Sequence, residues 1–192
     1  MLHLSAPLIA RFLEASGLPP EEAALFAPLW RRRLSLKRHD FLTRKGQTEA
    51  YMYLVKEGAL RLFYPVDDEE ICVGFAYENT VVSSFPSFIA NKPSEYSIQA
   101  LRQCELVGVS RADFVQLMEQ RPLLERYWRI QIEKAMLGRI NREIDLLLPS
   151  PEDRLQRLLA RSPHIFQLIP RKYLASYLRM TPETLSRIKL KD

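Results

Sequence analysis

The spacing of hydrophobic residues changes twice along this chain. Residues 5–38 carry them at helical spacing, and Gly17 with Pro19-Pro20 divides this segment into two predicted helices. We expect the second helix to include Leu25 and Trp30 and to end at Arg31–Arg33, where cations favour the helix C-terminus. From Asp40 the spacing changes to two, which is typical of strands. The predicted strands are 41–43, 51–56, 59–64, 71–77, 81–82, 94–101 and 105–109.

Short strands separated by turn residues are typical of a small antiparallel barrel or roll. A short helix from Arg111 to Glu119, capped by Ser110, follows them. We therefore assign the chain to the α+β class, with an N-terminal antiparallel, cupin-like β-roll and flanking helices.

A long helix is predicted from Pro122 to Leu148. On it Leu123, Ile130, Leu137 and Ile144 recur every seven residues, and Tyr127 lies on the same side. A sustained heptad predicts a coiled-coil seam and hence a homodimer. The alternative is a helix packed on its own barrel. Ile132 and Met136, on another face, suggest that it does both.

Pro149-Ser150-Pro151 breaks this helix and marks the clearest domain boundary. The predicted organisation is a sensor domain with N-terminal helices at 1–121, a dimerisation helix at 122–148 and a C-terminal domain at 149–192.

The stretch from Leu168 to Lys189 predicts two short helices with a tight turn between them. Thr181 is a good N-cap, Pro182 suits a first helical position, and Ala175 is small enough for two helices to approach closely. This pattern is that of a helix-turn-helix, whose second helix enters the major groove. The alternative is a plain surface hairpin in which Glu183 and Arg187 form a solvated i,i+4 pair.

Charge adds weight to a nucleic-acid partner. The chain has 192 residues and a net charge of +5. From Ser150 onward nine Lys or Arg residues face four acids, so the whole excess lies in the C-terminal segment. Such a segment attracts a polyanion through counterion release. Two widely spaced cysteines, no signal pattern and no membrane-length apolar run lead us to expect a cytoplasmic protein without membrane contact.

The order of elements, together with two motifs, resembles the Crp-Fnr family of bacterial transcription regulators. The motifs are Tyr53-Leu54-Val55-Lys56-Glu57-Gly58-Ala59-Leu60-Arg61 and Thr181-Pro182-Glu183-Thr184-Leu185-Ser186-Arg187-Ile188. The resemblance implies a dimer that binds double-stranded DNA, with RNA polymerase as a possible further partner. It implies base reading by Glu183 and Arg187 from a recognition helix at 182–190. The full set of predicted DNA-contacting residues is Arg171, Lys172, Thr181, Pro182, Glu183, Thr184, Arg187 and Lys189.

Three features depart from the family pattern. Pro182 replaces an arginine of the motif, and Arg179 stands where a glycine is common in the turn. A non-glycine residue in a left-handed turn costs about 1 kcal/mol. The sequence ends at Asp192, so we expect a helix-turn-helix domain that lacks most of the usual β-hairpin wing.

The effector cannot be read from the family. Members that bind cyclic AMP hold its phosphate with an arginine, but the matching region here has Glu95 and Tyr96, so we predict no cyclic nucleotide binding. Cysteine and histidine are too few and too scattered for an iron–sulfur, haem or metal site, and we expect no cofactor. A candidate effector pocket comprises Tyr53, Phe63, Phe75, Ser83, Ser84 and Tyr96, although the aromatic rings could equally form the barrel core.

Two other classes of protein compete with a regulator. A cupin-like enzyme would need a metal cluster or a nucleophile with a base, and the sequence offers neither, so we predict a non-enzyme. A ligand-binding or protein-interaction barrel that has lost DNA binding is the stronger alternative. Steep salt dependence of binding would favour the regulator.

Overall fold

The computed structural model describes residues 6–188. Two helices open it, α1 (Ala6–Ala15) and α2 (Pro20–Phe26), followed by a 3₁₀ turn at Ala27–Leu29. Gly17 has a φ of +103°, and the Leu18 N–H donates to the Leu13 carbonyl, which confirms the predicted end of α1.

The second predicted helix ends earlier than expected. Trp30–Leu36 forms strand β1 and pairs antiparallel with a strand near the end of the roll, so the assignment of Arg31–Arg33 to a helix end was wrong. The backbone of these residues finds its hydrogen bonds across the sheet, while Trp30 and Leu36 are buried at the two ends of the strand. A sequence distance of some seventy residues hides this pairing from a local pattern.

The remaining strands confirm the predicted antiparallel roll. They are β2 (Phe41–Thr43), β3 (Tyr51–Glu57), β4 (Ala59–Val66), β5 (Glu69–Tyr77), β6 (Val81–Val82), β7 (Ser97–Ala100) and β8 (Cys104–Ser110). They form two four-stranded sheets with the orders β1-β8-β3-β6 and β2-β7-β4-β5. Gly58, between β3 and β4, has a φ of +102°, and a Cβ there would lie 2.4 Å from the Gln103 carbonyl oxygen. Only glycine fits this turn.

Between β6 and β7 lies a short helix that the sequence pattern did not predict, α3 (Phe85–Ala90). After the roll come α4 (Arg111–Gln120), α5 (Pro122–Leu146), α6 (Pro151–Arg161), α7 (Ile165–Leu168), α8 (Arg171–Tyr177) and α9 (Pro182–Arg187). Ser110 and Ser150 cap α4 and α6 by accepting from the N–H groups of Asp113 and Asp153. In the part of the chain that the structure describes, no helix is long and apolar enough to cross a membrane.

Buried side chains form three clusters. One fills the roll around Leu60, Ile98 and Leu106, and a second joins the roll to α1, α4 and α5 around Trp30 and Phe114. The third lies under α6–α9 and includes Leu101 of the roll. The C-terminal helices are therefore packed onto the roll through an apolar contact.

Candidate functional site

Helices α8 and α9 are joined by a tight turn at residues 178–181. The Met180 N–H donates to the Ala175 carbonyl and the Arg179 N–H to the Ser176 carbonyl, which is the bond pattern of a Schellman helix end. Arg179 adopts a φ of +55°, as its place in the turn predicted. Ala175 is fully buried between the helices, and Leu185 of α9 packs into the same cluster.

One side of α9 is open to solvent. The Thr181 hydroxyl accepts from the Thr184 N–H, confirming the predicted N-cap, and Pro182 occupies the first turn. Glu183 and Arg187 are exposed and do not form an ion pair in the described structure. Hydrogen bonds from its own N–H and from Thr181 lower the pKa of Glu183, so the carboxylate is ionised at neutral pH. This side of α9 offers one carboxylate and one cation that are exposed and not paired with each other.

Arg171 and Lys172 begin α8 and are also exposed. Pro170 is the N-cap of this helix. The Arg171 guanidinium lies 5.1 Å from the Phe166 ring centre and the Lys172 ammonium 4.8 Å from that of Tyr173. Lys189, the remaining predicted contact, and residue 190, the last of the predicted recognition helix, lie outside the described residues.

Part of the basic excess in the C-terminal segment has an intramolecular use. Asp145 of α5 is only 2% exposed and pairs with Arg157 at 3.2 Å and with Arg161. Arg154 donates to the Leu148 carbonyl at 2.8 Å. These three arginines therefore tie α6 to the end of α5 and contribute less to any external surface than their number suggested.

Helix α5 presents an apolar stripe to solvent. Most of the predicted seam is on it: Leu123 is 52% exposed, Leu137 61% and Ile144 47%, while Ile130 is half-buried. Ile140 and Leu147 extend the same stripe. Tyr127 differs from its prediction, because it is 7% exposed and its hydroxyl is hydrogen-bonded to Ser16 of α1. It packs within its own chain and adds little to a surface seam.

The opposite side of α5 helps to enclose a cavity of about 560 Å³ against the roll and α1, which we call the sensor cavity. Its wall is mainly apolar and includes Phe12, Trp30, Met52, Phe85, Trp128 and Met136. Polar side chains in the wall are Ser16, Ser83, Gln131 and Arg139. The sequence indicated its α5 wall through the second apolar face at Ile132 and Met136, and both residues line the cavity.

The six predicted effector residues do not lie together. Phe75 and Ser83 line the sensor cavity, and Tyr53, Phe63, Ser84 and Tyr96 do not. Tyr53 lies over Gly108, where a Cβ would be 2.7 Å from its ring, and its hydroxyl accepts from the Arg32 guanidinium at 3.2 Å. Burial, with the nearby Glu49 as the next cause, raises the pKa of Tyr53 to about 12.

The region around Glu95 and Tyr96 corresponds to the phosphate-binding segment of members that bind cyclic AMP. Its hydroxyl groups are hydrogen-bonded within the region itself. The Ser84 and Ser94 hydroxyls are 2.6 Å apart, and the Ser94 hydroxyl also donates to the Tyr96 carbonyl. The Ser87 hydroxyl donates to the Lys92 carbonyl at 2.5 Å. Tyr96 is buried and Glu95 is exposed, so neither supplies a cation to this region.

A set of polar and aromatic contacts that the sequence did not indicate joins α8 to the outer face of β4 and β5. Buried Arg61 donates to Gln99 and Glu70, and its guanidinium carbon lies 4.6 Å from the Tyr173 ring centre. The Ser176 hydroxyl accepts from the Cys72 N–H at 2.9 Å and donates to the Glu70 carbonyl at 3.3 Å.

Three further residues complete this contact. Arg142 of α5 donates to the carbonyls of Cys72 and Tyr177, and the rings of Phe75 and Tyr177 are 5.2 Å apart. Burial lowers the pKa of the Arg142 guanidinium from its ordinary value. We call this set the roll–α8 clasp: Arg61, Glu70, Cys72, Phe75, Arg142, Tyr173, Ser176 and Tyr177.

Comparison with known proteins first defines the class of the N-terminal part. Residues 33–121 match the family model of the cyclic nucleotide-binding domain. This match and the two antiparallel sheets establish a cyclic nucleotide-binding fold, which is a statement of fold and not of ligand.

Solved structures then extend the likeness beyond the roll. FixK2 from Bradyrhizobium japonicum aligns with a TM-score of 0.69 and 17% identity over 81% of each chain. A putative cAMP-binding regulatory protein from Silicibacter pomeroyi aligns at 0.66 and 21% identity over 96% of this chain and 86% of that one. The catabolite activator protein of Thermus thermophilus aligns at 0.57 and 23% identity over 89% and 82%. The chain thus shares its fold with these three proteins.

Proposed function

We propose that this protein is a dimeric, DNA-binding transcription regulator of the Crp-Fnr type. The observation that carries the proposal is the α8–α9 pair, in which a tight Schellman turn presents an exposed α9 whose Glu183 and Arg187 are not paired with each other. An arginine can bind guanine through two hydrogen bonds in the major groove, and a carboxylate can accept from the cytosine amino group. Such a regulator would act in the cytoplasm, where bacterial DNA is found.

Phosphate contacts would come from the start of α8 and the cap of α9. Arg171 and Lys172 are exposed cations there, and Thr181, Pro182 and Thr184 surround the N-terminus of α9. The N–H groups at a helix N-terminus favour an anion. Arg171 and Lys172 would position the protein on the duplex without reading sequence.

The dimer would form along α5. A helix of 25 residues spans about 37 Å, and its exposed stripe runs from Leu123 to Leu147. Apolar side chains in a heptad pattern are buried when two such helices pair, which makes a second copy of this chain the natural partner. Two-fold symmetry would place the α9 helices about 34 Å apart, one helical turn of DNA.

The sensor domain would not bind cyclic AMP. The Ser84 and Ser94 hydroxyls are hydrogen-bonded to each other, and Glu95 or Tyr96 stands where members that bind cyclic AMP have an arginine. A buried phosphate without a cation is strongly unfavourable. RNA polymerase would be contacted only by the DNA-bound dimer.

The decisive experiment is selection of random duplex DNA on the purified protein, run beside Arg187→Ala. We expect a two-fold symmetric site from the wild type. Arg187→Ala should lose preference at one base pair in each half-site, by about 1–3 kcal/mol, while salt-sensitive affinity is kept.

The matched control is Arg11→Ala, which removes the same charge from the exposed face of α1 and should select the wild-type site. If the wild type selects no site in low salt, or if Arg187→Ala and Arg11→Ala behave alike, α9 does not read bases. The protein would then be a ligand-binding or protein-interaction module.

A further inference from the structure

We infer that the sensor cavity binds an apolar monocarboxylate, a small molecule with an aliphatic or aromatic body and one carboxylate group. The binding follows from the cavity alone. Only its use as a signal for transcription rests on the proposed function.

Size and lining favour a small molecule with an apolar body. The cavity holds about 560 Å³, within the range of roughly 300–1,000 Å³ that is usual for small-molecule sites. Aromatic, aliphatic and methionine side chains from α1, the roll and α5 form most of its wall. No aspartate or glutamate lines it within the described residues, so a cationic ligand would find no counter-charge there.

Most polar groups of the wall already have partners. The Ser16 hydroxyl is 2.5 Å from the Tyr127 hydroxyl, and Gln131 donates to the Ser16 carbonyl at 3.2 Å. Ser83 donates to the Tyr51 carbonyl at 3.1 Å. The first two bonds hold the end of α1 to α5, and the third lies within the roll.

Two side chains of the wall are tryptophans. The indole N–H groups of Trp30 and Trp128 are buried and find no hydrogen-bond acceptor among the described residues. Trp30 as a whole is 1% exposed. An indole can only donate, and a buried donor without an acceptor is costly, so both side chains favour a ligand that brings an acceptor.

Arg139 fixes the charge of that ligand. It lines the cavity, is exposed and forms no ion pair within the described residues. A guanidinium binds a carboxylate through two parallel hydrogen bonds. One exposed arginine with two indoles matches a single negative charge, whereas a phosphate would call for more cations.

The chain provides its own reporter for the test. Its two tryptophans both line the cavity, so a bound ligand must change the tryptophan emission. The full chain is titrated with decanoate, and with decylammonium as a probe of the same length and opposite charge. We expect a saturable change with decanoate and binding of decylammonium at least about tenfold weaker.

Three variants assign the polar contacts. Trp128→Phe, which keeps Trp30 as reporter, should weaken decanoate binding about tenfold by removing one donor to a charged acceptor. Arg139→Gln should weaken it about fivefold. Lys134→Gln is the matched control, because it removes an exposed charge from the same helix outside the cavity, and should stay within about twofold of the wild type.

The inference is overturned if no probe gives a saturable change, if decylammonium binds as tightly as decanoate, or if Arg139→Gln and Lys134→Gln behave alike. A tryptophan emission that changes with protein concentration but not with any added probe would mean that a second copy of the chain fills the cavity. This result would also overturn the inference. The DNA selection is run without decanoate. A symmetric DNA site without decanoate binding therefore refutes the ligand alone, and decanoate binding without a DNA site refutes the regulator alone.

Discussion

Arg179 occupies the left-handed position of the turn that joins α8 and α9. Its φ of +55° is a left-handed conformation, which a side chain with a Cβ adopts at a cost of about 1 kcal/mol. Two hydrogen bonds, from the Arg179 and Met180 N–H groups, hold the turn in this conformation. The turn is formed by backbone bonds, and the arginine is tolerated rather than required.

We therefore predict that Arg179→Gly raises the free energy of unfolding by about 1 kcal/mol. Urea denaturation followed by circular dichroism would measure it. Arg179→Ala, which removes the same exposed side chain but keeps the Cβ, should remain close to the wild type. Equal stabilities of the glycine and alanine variants would show that the turn is not strained.

Local signals at this scale were readable from the sequence. Ser110, Ser150 and Thr181 each cap a helix because a short polar side chain reaches an N–H group three residues on, which no distant residue can change. Trp30 and Arg32 were misread because their partners on β8 and β3 are far along the chain. Tyr53 was placed in an effector pocket because an aromatic ring does not reveal that it will lie on Gly108.

Among the elements, helix α5 takes part in three different surfaces of the molecule. Its outer stripe is exposed, its inner face closes the sensor cavity, and Arg142 near its end enters the roll–α8 clasp. The heptad of leucines and isoleucines predicted the outer stripe. Tyr127 misled the prediction because, on a straight helix, it lies near the boundary between the outer stripe and the face that packs on α1.

We predict that Leu137→Glu weakens the dimer by about 30- to 100-fold, since a charge would be buried in the seam. Sedimentation equilibrium would measure the dissociation constant. The side chain is 61% exposed in the single chain, so folding should be unaffected. Gln116→Glu adds the same charge to an exposed position of α4 and should leave the dimer intact. A wild-type chain that is monomeric at all concentrations would contradict the seam.

At the scale of the whole molecule, the roll–α8 clasp fixes where the C-terminal helices sit. It buries a guanidinium under an aromatic ring and ties the backbone of Cys72 to both Ser176 and Arg142. Most neighbouring strands of the roll are not consecutive in the chain, and the clasp joins residues even farther apart, about a hundred positions. No periodicity in the sequence could have indicated it.

The clasp predicts a difference between the two cysteines. Cys72 and Cys104 are both fully buried, and burial raises the pKa of both thiols. Cys72 lies in the clasp, whereas Cys104 lies within the roll and its thiol donates to the Ala59 carbonyl. Tyr173→Ala should therefore speed labelling of Cys72 by a thiol reagent about fivefold, while Cys104 keeps its rate.

Mass spectrometry of the labelled peptides would measure both rates in one sample. Gln156→Ala, an exposed change on α6, is the control and should alter neither rate. If Tyr173→Ala accelerates both cysteines equally, the variant loosens the whole chain and the clasp has no separate opening.

The multiple contacts of α5 also decide how this protein could be re-engineered as a biosensor. Trp128 and Arg139 lie on the cavity side of the helix that also carries the seam and contributes to the clasp. A substitution at either position would therefore change ligand selectivity together with the contacts of the seam and the clasp. Phe85 and Ser83 line the cavity from the roll side and lie outside the seam and the clasp. A library of variants at those two positions would change which ligand the cavity binds, while the dimer seam and the clasp stay unaltered.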